Sequence, residues 1–303
     1  MTDNPKAMAR SLRAQLHERG LELSHGECLD LVARQLGHRD WNVLAARAPR
    51  ASLVQIRRSC EWVAMNGEQE LGRITADRRP NDRWYVACDT WYDAAHDALV
   101  ATVADDLAQD LYAIVADTDE DGLRRYAAAG FIEERREDDV TVDVAMAREA
   151  LAGAGLPPGY RIVSAADIDD GVLRILDDTL RIDVPESGGW VNDPQEFREY
   201  TFATHFDKAA YLVALDTHDA PAGLVRIWAG RPPRRLGLIG VLREHRRRGI
   251  ANALLAAAFT AVAQQGVTSV VAEVDVDNVA SRALLERIGA RRTGGTVELR
   301  RPA

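Results

Sequence analysis

The stretch REHRRRGIANALL, residues 243–255, places five basic side chains directly before a glycine and an apolar segment. The positive charge ends at Gly249, and apolar residues then recur with helical spacing. The first turn of a helix has unpaired N–H groups and about half a positive charge, which suits a phosphate. A glycine there permits a tight turn and a close approach to these amides. The stretch therefore predicts a corner that binds a phosphate group through its backbone.

The flanking sequence supports a strand before this corner and a helix after it. RRLGLIGVL, 234–242, is typical of a strand, and its Gly237 and Gly240 predict a bulge or a close approach of the backbone to another molecule. GIANALLAAAFTAVAQQ predicts a helix that ends at Gly266. The expected buried face of that helix consists of Ile250, Leu254, Leu255, Ala258 and Val262.

The corner resembles the R/Q-x-x-G-x-G/A signature of the GNAT acyl-CoA N-acyltransferases, here Arg246-Arg247-Arg248-Gly249-Ile250-Ala251. The resemblance extends from Tyr160 to Arg301, with the element order β-α-(α)-β-β-β-α-β-α-β. Two positions depart from the pattern: Arg243 stands where the family has a proline, and Ala290 where it has an aromatic residue. A surface corner with a solvated arginine cluster is the alternative interpretation.

The resemblance implies acetyl-CoA, or another acyl-CoA, as the cofactor. It implies that the backbone of Val241 and Leu242 pairs with the pantetheine arm, with one N–H polarising the thioester carbonyl. The amides from Arg248 to Asn252 would hold the pyrophosphate. The full set of expected cofactor-binding residues is Val241, Leu242, Arg246, Arg247, Arg248, Gly249, Ile250, Ala251, Asn252, Asn278 and Ser281.

Acyl transfer to an amine needs a proton acceptor, because an alkylamine with a pKa of roughly 10 is mostly protonated at neutral pH. Glu273 and Asp275 share one face of the predicted strand TSVVAEVDV, so either is a candidate base, and a solvated role is the alternative. The family often places a tyrosine acid four residues before the next helix-ending glycine. That position is Leu285 here, which leaves the acid unassigned.

The acceptor site is expected in the stretch LRIDVPESGGWVNDPQEF, 180–197. Its carboxylates and one tryptophan suggest an acidic, aromatic-edged opening for a cationic amine. The candidate residues are Asp183, Glu186, Trp190 and, on a neighbouring strand, Arg226. A core position is the alternative for the tryptophan.

The chain divides into three predicted segments, and an internal repeat relates two of them. Residues 1–50 are helical and resemble a small segment found in glyoxalase-related proteins. DTDEDGLRRYAAAGFIEERRE, 117–137, echoes DVDNVASRALLERIGARR, 275–292, with one gap. Residues 51–150 therefore resemble a degenerate GNAT half that lacks the phosphate loop, and 151–303 the intact half, as in tandem GNAT proteins such as mycothiol synthase. The predicted fold class is α/β (α+β), with mixed, mostly antiparallel sheets flanked by helices.

Composition limits the partners and the cellular location that we expect for this protein. A net charge of −9 disfavours nucleic acid as a partner, and the N-terminal residues lack the apolar core of a signal peptide. Three widely spaced cysteines indicate neither a disulfide framework nor a metal site. We therefore expect a cytoplasmic protein that binds neither a membrane nor a metal ion. Whether it forms a homodimer is left undecided by the sequence.

The sequence leaves three functions open. The first is an N-acetyltransferase acting on a small-molecule primary amine, for example an antibiotic or a metabolite. The second is a protein N-acyltransferase, and the third is a non-catalytic acyl-CoA sensor. The intact loop favours the first two, whereas Leu285 favours the third.

Overall fold

The fold is an extended sheet flanked by helices, seen in a computed structural model that describes residues 5–46, 51–79, 81–90, 92–184, 190–230 and 232–303. The helices are α1 (Pro5–Glu18), α2 (His25–Gln35), α3 (Trp41–Ala46), α4 (Asp93–Leu107), α5 (Glu120–Ala128), α6 (Val144–Ala150), α7 (Asp170–Arg181), α8 (Phe197–Thr201), α9 (Ile250–Gln264) and α10 (Val279–Arg287). The strands are β1 (Leu53–Arg58), β2 (Glu61–Asn66), β3 (Gln69–Arg78), β4 (Trp84–Asp89), β5 (Leu111–Ala116), β6 (Ile132–Asp143), β7 (Arg161–Ser164), β8 (Tyr211–Leu215), β9 (Pro221–Trp228), β10 (Arg234–Val241), β11 (Ser269–Asp275) and β12 (Arg291–Arg301). In the ranges described, no helix is both long and apolar enough to cross a membrane.

The N-terminal helices form a small layer of their own. A capping box opens α2 as its sequence indicates: the Ser24 hydroxyl accepts from the Glu27 amide at 3.2 Å, and the Glu27 carboxylate accepts from the Ser24 amide at 2.8 Å. Ala9 and Cys28 are fully buried where α1 meets α2.

All twelve strands belong to one sheet, in the order β1-β2-β3-β4-β5-β12-β6-β11-β10-β9-β8-β7. Its neighbours are antiparallel except at β4–β5 and β10–β11, which confirms the predicted mixed, mostly antiparallel class. The sheet is continuous because the two halves exchange their last strands. Strand β12 pairs with β5 of the first half, and β6 pairs with β11 of the second.

This exchange also joins the two hydrophobic cores. Val140 and Val142 of β6 pack with α9 in the core of the second half. Val297 and Leu299 of β12 pack with α4 in the core of the first half. The predicted division between residues 150 and 151 therefore falls between two halves that complete each other's cores.

The internal repeat is visible in the helix caps. Asp119 caps α5 by accepting from the Gly122 amide at 3.1 Å, and Asn278 caps α10 by accepting from the Ser281 amide at 3.1 Å. A glycine with a φ of 88° or 81° lies eleven positions after each cap, at Gly130 and Gly289. The copies align without the gap predicted from sequence, because Asn278 rather than Asp277 corresponds to Asp119.

Candidate active site

The site lies where two parallel strands separate. β10 and β11 pair only at Arg234–Val270 and Arg235–Val271, and then diverge. A bulge at Gly237 accompanies the separation, and a Cβ there would lie 2.4 Å from Nε1 of Trp228. A Cβ on Gly240 would lie 3.1 Å from Leu180. The bulge expected from sequence is present at Gly237, and the space beside both glycines is taken by the protein's own side chains rather than by another molecule.

The predicted phosphate-binding corner forms the outer end of a cleft beside β10. Gly249 precedes α9 with a φ of 83°, and Arg247 also has a positive φ, 61°. The amides of Gly249, Ile250, Ala251 and Asn252 have no acceptor within the described chain, as is usual for the first turn of a helix. The predicted inner face of α9 is buried. The corner therefore presents bare N–H groups to the cleft.

The cleft has a volume of about 410 Å³ and collects most of the expected cofactor residues. Its lining includes Val241, Arg246, Arg247, Gly249, Ile250, Ala251, Asn252, Asn278 and Ser281. Asn278 and Ser281 come from the start of α10, on the wall opposite the corner. Leu242 and Arg248 are the two expected residues that do not line it.

Three of the five basic side chains, those of Arg243, Arg246 and Arg248, form bonds that hold the loop, and Arg246 also lines the cleft. The Asp183 carboxylate accepts from Arg243 and, at 2.5 Å, from Arg246, and these bonds keep the pKa of Asp183 far below its ordinary value. Arg246 also donates to the carbonyl of Val241 at 2.8 Å. Arg248 donates to the Tyr160 hydroxyl at 3.2 Å. Asp183, which the sequence predicts at the acceptor opening, anchors the basic loop through these ion pairs and also lines the cleft.

Of the two residues whose backbone was expected to contact pantetheine, Leu242 is already hydrogen-bonded within the protein. The Leu242 amide donates to the carbonyl of Ala222 at 2.8 Å, and the Leu242 carbonyl accepts from the amide of His245 at 2.9 Å. The backbone of Leu242 is therefore occupied, which corrects its predicted role. Because N–H groups alternate in direction along a strand, those of Val241 and Ile239 point away from β9, towards the cleft.

A second cavity of about 550 Å³ continues from the first. The two share Val184, Ile239 and Ser281 in their linings, so the path from the corner leads past the separated strands into this space. Both halves of the chain line it. Its wall consists mainly of Arg79, Ile114, Arg135, Glu137, Asp139, Arg181, Trp190, Arg226, Trp228, Arg235, Glu273, Leu285 and Thr296.

The predicted catalytic carboxylates are placed differently from each other. Glu273 lines the second cavity and is paired with Arg235 at 2.5 Å. Asp275 is only 2% exposed, accepts from the amide of Asp277 at 2.8 Å and lines neither cavity. The structure thus places Glu273, and not Asp275, in a position to reach an acceptor. Leu285, at the position of the missing tyrosine, borders the same space.

The predicted acceptor residues are partly brought together. Trp190 and Arg226 line the second cavity, Asp183 does not, and Glu186 lies outside the described residues. The lining contains five arginines and three carboxylates, so the cavity is not the acidic opening expected from sequence. Four of these charged residues, Arg79, Arg135, Glu137 and Asp139, come from the first half and were missed. Strand alternation puts the last three on one face of β6, but only the exchange of strands brings that face into the site.

Arg226 is the most deeply buried charge of the cavity wall. It is 6% exposed, and its guanidinium lies between the rings of Tyr211 and Trp228, 5.5 and 4.5 Å from their centroids. One nitrogen donates to Asp177 at 3.0 Å. Burial raises the pKa of Asp177, but Arg226 and Arg181 outweigh it, so the pKa lies below its ordinary value. Nε of Arg226 and Nε1 of Trp190 are buried without a partner among the described residues.

Comparison with known proteins agrees with this geometry. Residues 173–290 match the family described as Acetyltransferase (GNAT) family, and residues 1–66 match the family described as Glyoxalase superfamily protein. A mycothiol acetyltransferase of Clavibacter michiganensis subsp. michiganensis is 30% identical over 207 residues, which are 67% of this chain and 66% of that protein. A mycothiol acetyltransferase of Clavibacter sepedonicus is 28% identical over 207 residues, 67% of each chain. The match thus spans about two thirds of these relatives.

Solved structures show the same fold at low identity. A GCN5-related N-acetyltransferase from Sphaerobacter thermophilus superposes with a TM-score of 0.66 at 17% identity, covering 99% of this chain and 92% of that one. A tandem GNAT protein from the clavulanic acid biosynthesis pathway superposes with a TM-score of 0.57 at 16% identity, covering 99% and 95%. The resemblance inferred from Arg246 to Ala251 is confirmed: residues 173–290 are a domain of the GNAT acetyltransferase family, set in a tandem GNAT fold.

Proposed function

We propose that this protein transfers an acyl group, in the first place acetyl, from acyl-CoA to the primary amine of a small molecule. The proposal rests above all on one observation: bare amides at Gly249 open onto a cleft that continues into a second cavity. A site for a diphosphate is thereby joined to a site for an acceptor. We assign the transfer to residues 151–303 and a supporting role to 51–150.

The residues present fit an acyl-CoA. Amides from Gly249 to Asn252 would bind the diphosphate, with Arg247 beside them on the cleft wall. The N–H of Val241 or Ile239 would donate to the thioester oxygen as negative charge develops there. The bound thioester supplies the activated acyl group. Asn278 and Ser281 close the opposite wall at the start of α10.

The acceptor would lie in the second cavity, against Trp190, Arg226 and Glu273. The names of the two Clavibacter relatives make an amine that also carries a thiol the first acceptor to test. Antibiotics and metabolites with a primary amine are the next acceptors to test. The buried, unpartnered nitrogens of Arg226 and Trp190 support a polar ligand here, because a buried donor without an acceptor costs about 1–3 kcal/mol.

An acyl-CoA sensor is the second candidate, and Leu285 favours it. No hydroxyl is available at the position where the family often has a tyrosine acid, and Leu285 is 5% exposed on the cavity wall. A sensor would need the cleft but no proton acceptor or donor.

Acetyl-CoA binding and CoA release together test the proposal. Binding is measured by calorimetry, and CoA release is followed with glucosamine, cysteine methyl ester, kanamycin and a lysine-containing peptide. We expect saturable binding and turnover with at least one of the small amines. Binding without turnover on any of them would support the sensor, turnover on the peptide alone would support a protein acyltransferase, and no binding would refute both enzyme and sensor.

A further inference from the structure

Asp139 of the first half faces the second cavity from the exchanged strand β6. It pairs in register with Glu273 of β11, so the two side chains are direct neighbours across the strands. We propose that Asp139 binds the ammonium group of the acceptor and takes its proton. This inference rests on the proposed function and adds a catalytic residue that comes from the other half of the chain.

No cation of the described residues forms an ion pair with Asp139. Glu273 is neutralised by Arg235 at 2.5 Å, whereas no donor within the described chain is in hydrogen-bond reach of the Asp139 carboxylate. The nearby guanidinium of Arg292 is held by Asp117 and Asp138. Like charges placed directly opposite on a sheet destabilise it, and a ligand cation between them would relieve that repulsion.

The titration of Asp139 suits a proton acceptor. Burial is the main factor that raises its pKa above the ordinary value, and the carboxylates of Glu273, Asp117 and Asp138 raise it further, while Arg292 lowers it. A raised pKa makes the carboxylate a better base. The rate should therefore fall as the pH drops through this pKa, because a protonated Asp139 cannot accept a proton.

A second observation shows that this space is built for a polar ligand. Arg226 is 6% exposed on the same cavity wall, and its Nε has no acceptor among the described residues. The indole N–H of Trp190 is likewise buried without a partner. These donors suit an oxygen atom of the acceptor, whereas Asp139 suits its ammonium group.

The proton balance of the step is simple. The ammonium ion gives one proton to Asp139, which later releases it to water. The amine nitrogen then bonds to the acyl carbon, the carbon–sulfur bond breaks, and the departing thiolate takes the second N–H proton. An amide, a free thiol and one solvent proton result.

Ligand binding without acyl-CoA tests the site independently of turnover. The probes are the propylammonium ion and 1-propanol, which have nearly the same shape, and binding is followed by the fluorescence of Trp190 and Trp228 in the cavity wall. We expect wild type to prefer propylammonium at least tenfold and Asp139→Asn to lose that preference. Asp138→Asn is the matched control, since Asp138 is the adjacent carboxylate, pairs with Arg292 and does not line the cavity.

Turnover with an amine accepted by wild type gives the second readout. Asp139→Asn should lower kcat/KM at pH 7 at least a hundredfold, and its rate should then rise with pH towards the pKa of the amine, roughly 10. Asp139→Glu should restore part of the rate. An unchanged propylammonium preference, or losses equal in the Asp139 and Asp138 variants, would overturn the proposal, whereas failure of acetyl-CoA binding in all proteins would refute the proposed function instead.

Discussion

The two halves share one scaffold and differ at one corner. In the first half β4 and β5 pair only at Trp84–Leu111 and Tyr85–Tyr112 before they separate, just as β10 and β11 do. Eight residues, 242–249, connect β10 with α9, whereas only three, 90–92, connect β4 with α4. The basic loop and its glycine are what the first half lacks.

The charges at the two corners also differ. Helix α4 begins with Asp93, and Lys6 of α1 reaches over to it at 3.4 Å and to Asp121 at 2.7 Å. Lys6 is 5% exposed and lines a cavity of about 300 Å³. The position at which the second half presents bare amides is thus filled by the protein's own ion pairs. The proposed diphosphate site therefore depends on the loop before the helix and not on the separated strands.

Substitution of Gly249 should have the largest effect on the difference between the two corners, because it alters the loop that the first half lacks. Gly249→Trp strains a backbone with a φ of 83° and puts a side chain beside the bare amides, so we expect acetyl-CoA binding to fall below detection by calorimetry. Gly266→Trp is the matched control, because Gly266 has a φ of 77° just beyond the other end of α9, with no atom within 4 Å of a Cβ there. Equal affinity in the Gly249 variant and wild type, with both folded, would show that the corner is wrongly placed.

The corner was predictable from sequence because its signals are local. A basic run, a glycine and an apolar period of helical spacing all lie between Arg243 and Val262, and no distant residue is needed to interpret them. The capping box that Ser24 and Glu27 predict is local in the same way, and the structure shows it.

The acceptor cavity was predicted only in part, since its walls depend on pairing between distant strands. Nothing in the sequence near Asp139 indicates that β6 pairs with β11, about 130 residues away. The strands β1 and β2 were missed because their side chains do not alternate between buried and exposed positions, and in β2 four consecutive residues are buried. In β1 five of six residues are exposed. The ion pairs of Asp183 with Arg243 and Arg246 were not predicted, because a carboxylate in a loop does not reveal its arginine partners.

His96 should make the stability of the first half depend on pH. The second half has Ala253 at the same position of its helix, and alanine does not titrate. Burial, and secondarily Arg125, lowers the pKa of His96 to about 4, and neither ring nitrogen has a hydrogen bond among the described residues. The unfolded chain takes up a proton near pH 6.5, so wild type should lose about 3 kcal/mol of unfolding free energy between pH 6.5 and 4. Denaturant titrations at several pH values measure this slope.

His96→Phe should remove that contribution, because phenylalanine binds no proton in either state. The exposed His218 provides the control variant, His218→Phe, which should keep the wild-type slope. If the unfolding free energy of the His96 variant still falls with pH as in wild type, a group other than His96 is responsible for the pH dependence.

Loss of the Lys6 ion pairs should have a smaller effect, confined to stability. Lys6→Met leaves Asp121 without a buried cation, and because Asp93 is half-exposed we expect a loss of about 2 kcal/mol in the free energy of unfolding. Burial raises the pKa of Asp121, but hydrogen bonds from Lys6 and Arg124 outweigh it and keep the pKa below the ordinary value. The stabilisation is therefore present above about pH 4 and lost as the pH falls further, so the two proteins should converge in acid.

Lys208→Met is the matched control for this variant, because the chain contains only these two lysines and Lys208 is exposed. Acetyl-CoA affinity should stay the same in both variants, since Lys6 lies at the closed corner. Calorimetry gives the number of acetyl-CoA molecules bound per chain. A higher number in the Lys6 variant than in wild type would show that the ion pairs alone keep acetyl-CoA out of the first half.

Tyr126 offers the smallest and most specific contrast, because it occupies in the first half the position that Leu285 occupies in the second. Its hydroxyl accepts from the amide of Cys88 at 3.3 Å, and burial raises its pKa to about 12, so it is a neutral structural group at physiological pH. Tyr126→Phe should cost about 1 kcal/mol of unfolding free energy, the value of one buried hydrogen bond, and leave kcat unchanged. Denaturant titration and CoA release measure the two quantities. A fall in kcat with the fold intact would show that the first half takes part in the chemistry through this hydroxyl, and that the difference between the halves is smaller than their corners indicate.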